Sequence, residues 1–136
     1  MIPDGFAPHY RKSKFTDPWE PLYSCTDSDQ VQIGVILRDV HCNSRGLVHG
    51  GFISAIADNA MGLSCGVILK RQNRDIKGLV TVTLSTDFVG SAKIGEWLVT
   101  DTTVIKAGGS LCFTNALIRA GDTIVARASA TFKNVV

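Results

Sequence analysis

The stretch from Gly50 to Leu69, "GGFISAIADNAMGLSCGVIL", carries one formal charge, Asp58, among apolar and small residues. Its apolar side chains fall on nearly every face of a helix, so no polar side is marked for solvent. A helix of this kind must be covered on most sides. Its length alone would span a bilayer. Four glycines, two serines, Asp58 and Asn59 make it too polar for that, and the stretch reads as the central helix of a soluble fold.

The flanking sequence supplies the cover. Val31, Ile33, Val35 and Leu37 alternate with Gln32 and Arg38, the pattern of a half-buried strand. After the helix comes a charged connection, "KRQNRDIKG", and then four runs rich in β-branched residues. In the first, "LVTVTLSTDFV", regular alternation puts Val80, Val82, Leu84 and Phe88 on one face. Thr81, Thr83, Ser85 and Asp87 fall on the other. "EWLVTDTTVIK" follows, "KAGGSL" is a hairpin signal, and Gly121-Asp122 joins the last two runs.

One strand, one apolar helix and four consecutive antiparallel strands predict an α+β fold, with a single curved antiparallel sheet wrapped around the helix. At 136 residues the chain makes one domain. All four prolines lie in residues 1–28, which read as an irregular N-terminal arm with a short helix or strand, pinned down by Phe15, Trp19 and Tyr23. Residues 29–136 form the body.

Composition narrows the function. A net charge of +2 with scattered basic residues gives no nucleic-acid footprint. Cys25, Cys42, Cys65 and Cys112 form no C-x-x-C pair, and His9, His41 and His49 have no metal-ligand spacing. No apolar leader opens the chain, so reduced thiols in a cytoplasmic protein are expected. The expectation is a protein without metal, cofactor, nucleic-acid or membrane partner.

The chemistry concentrates in "HCNSRGLVHGGFISAIAD", His41 to Asp58. Gly50 and Gly51 sit where the helix begins, and the first turn of a helix has backbone N–H groups without intrahelical partners. These favour negative charge, and glycine lets a ligand approach them closely. They suit an oxyanion hole, and the Asn43 amide upstream is placed to reach the same oxygen. Asp58 among apolar neighbours is a candidate general base or nucleophile, with a structural acceptor as the alternative. His49 is its rival as base, though at the helix entrance it can equally cap or orient the loop. His41 reads as a loop-ordering residue.

Gly50 and Asp58 lie about 12 Å apart along a helix. A base and an oxyanion donor that act on one carbonyl should lie within roughly 5 Å of each other. Two antiparallel copies of the helix would bring position 58 of one subunit to position 50 of the other, giving a twofold homodimer with two equivalent sites.

The pattern H-x-N-x-x-G-x-x-H-G-G followed by an aspartate, here His41, Asn43, Gly46, His49, Gly50, Gly51 and Asp58, resembles the hotdog-fold acyl-CoA thioesterases, closest to the phenylacetate-degradation-type branch. The resemblance covers roughly residues 28–134. It implies a five- or six-stranded sheet wrapped around the helix, edge-to-edge homodimers and pairing of dimers into homotetramers. It also implies hydrolysis of an acyl-CoA substrate to free acid and coenzyme A, with the Gly50 N–H and Asn43 on the thioester carbonyl and Asp58 of the partner activating water or attacking directly.

A serine or threonine that assists the acid in this family aligns with Thr81. The turn that often carries a basic residue for coenzyme A phosphates reads "KAGGS" here, with Gly109 in its place and Lys106 or Arg119 nearby. Lys70, Arg71, Arg74 and Lys77 are a further basic group, read as a solvated loop or a phosphate attractor. Candidate substrate contacts are Gly51, Phe52, Met61, Val82, Lys106 and Ser110, with Phe88 and Trp97 as further aromatic lining. The rival functions are a hotdog enoyl-CoA hydratase or dehydratase using His49 with Asp58, and a non-catalytic acyl-CoA binding module.

Overall fold

The structure, a computed structural model, describes residues 1–135. Seven antiparallel strands form one sheet around one long helix. Strands β1 (Ala7–Pro8), β2 (Tyr23–Thr26) and β3 (Val31–Ile36) precede helix α1 (Gly50–Arg71). Strands β4 (Leu79–Phe88), β5 (Trp97–Ala107), β6 (Leu111–Ala120) and β7 (Thr123–Asn134) follow it. The order across the sheet is β1-β2-β3-β5-β6-β7-β4. The helix packs on β3 through β7, as an apolar cylinder requires.

The core is the meeting of that helix with the sheet's inner face. Ile56, Ala57, Ala60, Met61, Cys65 and Leu69 are fully covered, against Val35, Leu98, Cys112, Ile118 and Val125. Alanines at 116, 126, 128 and 130 keep β6 and β7 close to the helix. Ser64 ties the helix to the sheet. Its buried hydroxyl donates to the Ala60 carbonyl and accepts the Val31 N–H.

One face of the helix stays partly open. Its half-buried positions recur every four residues: Ser54, Asp58, Gly62 and Gly66, with Ala55, Asn59, Leu63 and Val67 beside them. These are mostly small or polar residues, so the apolar cylinder has a stripe the sheet does not cover.

Two strands of the sheet come from the arm, because β2 pairs with β3 and β1 with β2. Trp19 packs edge-on against Phe52 of the helix, with ring centroids 5.0 Å apart. Phe6 and Tyr23 surround Trp97. The Trp97 ring covers Gly34, where an added Cβ would overlap it.

The expected alternation in β4 is corrected by a β-bulge. Thr81 pairs with Phe132 and Thr83 with Thr131, so Val82 is an extra residue. Beyond the bulge Leu84, Thr86 and Phe88 oppose Ala130, Ala128 and Ala126 on the helix side. Thr81, opposite buried Phe132, therefore shares the helix-facing side with Leu84 and Phe88 rather than lying across the strand from them.

Candidate active site

The loop before the helix is built on its own polar side chains. His41 is fully buried; its Nδ1 accepts the Arg38 N–H and its Nε2 bonds the Trp19 carbonyl. With Nδ1 accepting, Nε2 carries the proton, and burial pushes its pKa below the ordinary 6.5. This neutral ring fastens the arm to the loop. Asn43 Oδ1 accepts the N–H groups of Arg45 and Leu47, which fixes the side chain and leaves its NH2 as the group free to meet a ligand. Gly46 closes the turn at φ +76°, a conformation that favours glycine.

His49 is the N-cap of α1. Its Nδ1 accepts the Gly51 N–H at 2.8 Å, which occupies that donor. Among the described residues the Gly50 N–H has no hydrogen-bond partner. A free donor therefore remains at the positive end of a 22-residue helix. The Phe88 ring packs so closely on Gly50 that an added Cβ would lie 3.0 Å from its Cζ.

Asp58 lies two turns further on, half-buried, on the open stripe of the helix. The Thr81 hydroxyl donates to its Oδ1 at 2.7 Å. Between these points the Ser54 hydroxyl bonds that of Thr86 at 3.1 Å. Helix and edge strand thus run antiparallel, with Gly50 beside Phe88 at one end and Asp58 beside Thr81 at the other. The unbroken helix holds Asp58 and Gly50 about 12 Å apart within one chain.

Asp58 and Thr81 line a groove of about 620 Å3 between the helix, the start of β4 and the arm. Its wall includes His9, Lys12 and Thr16 of the N-terminal arm, residues the sequence does not single out for the site. The fourfold recurrence of Asp58, Gly62 and Gly66 was a legible sign of this open stripe.

The remaining candidates lie elsewhere. Phe52 and Met61 are buried in the core, and Phe52 packs against His41 and Trp19. Gly51 is exposed at the helix entrance, and Val82 is exposed at the bulge. Lys106 and Ser110 flank the β5–β6 hairpin, where Gly109 approaches Arg74 just beyond the helix C-terminus. Neither lines the groove that holds Asp58.

A curved antiparallel sheet wrapped around a single helix is the hotdog fold, shared with solved thioesterase-superfamily structures. Residues 45–129 match the sequence model of the thioesterase superfamily, and the chain belongs to it. It is similar to a Pseudomonas aeruginosa protein provisionally named an esterase, at 38% identity over 96% of both chains. Human acyl-coenzyme A thioesterase 13 is 32% identical over 58% of this chain and 53% of its own length. A Streptococcus mutans protein solved with acetyl-CoA bound has a TM-score of 0.76 at 20% identity, covering 93% of this chain and 94% of that one, a likeness of fold. The chain is a thioester hydrolase by family.

Proposed function

We propose that this protein hydrolyses acyl-CoA thioesters at two equivalent sites, each shared between the two subunits of a twofold dimer. The observation that carries this reading is the Asp58–Thr81 pair at 2.7 Å, about 12 Å along the helix from the unoccupied Gly50 donor. The two halves of the machinery are present, but one chain holds them too far apart.

The edge strand supplies the means of bringing them together. β4 is a ten-residue strand that, among the described residues, has no neighbour on one side, and Val80, Val82, Leu84 and Phe88 are exposed on it. A bare apolar edge of this length invites pairing with a second copy. A twofold axis through β4 near Leu84 and Ser85 would lay two β4 strands antiparallel. Because the helix runs antiparallel to β4, the same axis carries the Asp58–Thr81 end of one subunit to the Gly50–Phe88 end of the other.

In that arrangement the thioester carbonyl oxygen meets the Gly50 N–H and the Asn43 NH2 of one subunit. These are fixed donors aimed where negative charge develops. Asp58 of the other subunit takes a proton from a water that attacks the carbonyl carbon. Thr81 holds one carboxylate oxygen and so turns the other toward the water. The C–O bond forms, the C–S bond breaks, and the proton passes to the departing thiolate of coenzyme A. His49 orders the helix entrance through Gly51 and takes no proton in this scheme. Dimers pairing further into a tetramer is part of the same reading.

The test is a thiol-release assay over a panel of acyl- and aryl-CoA thioesters. Asp58→Asn is expected to lower kcat at least about a hundredfold while substrate still binds. Near-normal turnover by Asp58→Asn would sink the assignment.

A further inference from the structure

The groove that begins at Asp58 continues along the helix well past the reacting centre. Asp58, Gly62, Gly66 and Lys70 all line it, a run of about 18 Å on the helix axis. Its volume of about 620 Å3 falls in the ~300–1,000 Å3 range of small-molecule sites. Leu63, Val67, Ile76 and Leu79 give its inner side apolar walls, and the arm, with Arg11, Lys12, Ser13 and Thr16, forms a polar outer side. Lys70 and Lys77 are exposed, where the groove meets water.

One feature fits a groove meant to be filled. Gly66 faces open space, and a Cβ built there meets nothing within 4 Å. A mid-helix glycine costs roughly 0.5–1 kcal/mol relative to alanine, and no packing in the chain requires this one.

We propose that this groove holds the acyl chain of the substrate, that Gly66 sets how long a chain it accepts, and that the arm is its outer wall. The inference rests on the thioesterase reading and adds a substrate class: an extended aliphatic acyl group of medium or greater length. The groove's length along the helix favours a chain over a single ring beside Asp58. Gly66 lies about 12 Å from Asp58 along the helix, so a short acyl group ends before reaching it and a longer one passes over it.

The experiment uses the full chain carrying Gly66→Leu, with Gly66→Ala as a milder companion. The Gly66 Cβ direction is open and both residues favour helix over glycine, so circular dichroism and Tm should not fall. Straight-chain acyl-CoAs from acetyl to palmitoyl are compared for kcat/KM. Non-hydrolysable thioether analogues of the same lengths are compared for Kd.

Gly66→Leu is expected to cut kcat/KM and weaken Kd at least about tenfold for the long members, and to leave acetyl- and butyryl-CoA within about twofold. An equal loss at every length would mean that the groove takes the pantetheine limb instead, and no loss at any length would mean that it is not used; either overturns the proposal. The Kd series also separates this inference from the catalytic one. A length-dependent loss of binding in a protein that hydrolyses nothing would uphold the groove and overturn the hydrolase.

Discussion

Thr81 does at residue scale what the helix sequence leaves undone. Asp58 is set among alanines and isoleucines, but the fourfold stripe turns it away from the core, and the Thr81 hydroxyl holds Oδ1 at 2.7 Å. A carboxylate with one oxygen fixed presents the other in a defined direction. Thr81→Val removes the donor and nearly preserves shape. It is expected to lower kcat about tenfold with little change in KM, the low end for a hydrogen bond to a charged group at an exposed site. Thr81→Ser should restore most of the rate, which a purely structural role for the methyl group would not allow. His49 and Asn43 show why residue type alone leaves roles open. Each spends an acceptor atom on nearby backbone, Nδ1 on the Gly51 N–H of the helix's first turn and Oδ1 on the loop N–H groups of Arg45 and Leu47. No spacing in the sequence announces which atom is spent.

At the scale of elements, the helix, β3 and the four later strands were legible because their periods are strong and their turns carry glycine. The bulge at Val82 was not. An extra residue inside a run of threonines and valines leaves the composition of both faces plausible, and only the register with β7 reveals the switch. In the arm a short helix or strand was legible, but not its place or its pairing, for another reason. β1 and β2 are two and four residues long and lie among prolines, so tertiary pairing rather than local preference makes them strands. That pairing leans on Gly34, whose missing side chain gives the Trp97 ring its place between Phe6 and Tyr23. Gly34→Val is expected to displace the ring and cost about 1–3 kcal/mol, as overpacking does. Thermal unfolding would read this as a drop in Tm of several degrees. The arm should loosen first, seen as faster proteolysis between β1 and β2.

For the whole molecule, the two sheet edges are unequal. One is the two-residue β1 and the other the ten-residue β4 with its exposed valines. A short edge is blunted, whereas a long apolar one asks for a partner. The proposed twofold dimer would cover the long edge and leave the short one to solvent. Val82 is 53% exposed in the single chain, so Val82→Asp should leave the protomer folded while placing two carboxylates at the paired edge. Sedimentation is expected to show a monomer for this variant, with turnover at least about a hundredfold below wild type. A monomeric Val82→Asp protein with full turnover would remove the shared site.

The place of β4 beyond β7 also has a consequence for how the chain is made. β4 leaves the ribosome before β5, β6 and β7, yet among the described residues its one partner strand is β7, the last. Until β7 arrives, the most apolar edge of the sheet has nothing to lie against, and Thr81 has no backbone to fix it opposite Phe132. Such long-range closure is slow and leaves sticky strands waiting. The acid on the helix is synthesised early, but its hydroxyl partner is held in place only when the far end of the chain folds back. The strand that covers the sticky edge is therefore also the strand that sets Thr81 opposite Asp58, and both wait for the last part of the chain to be made.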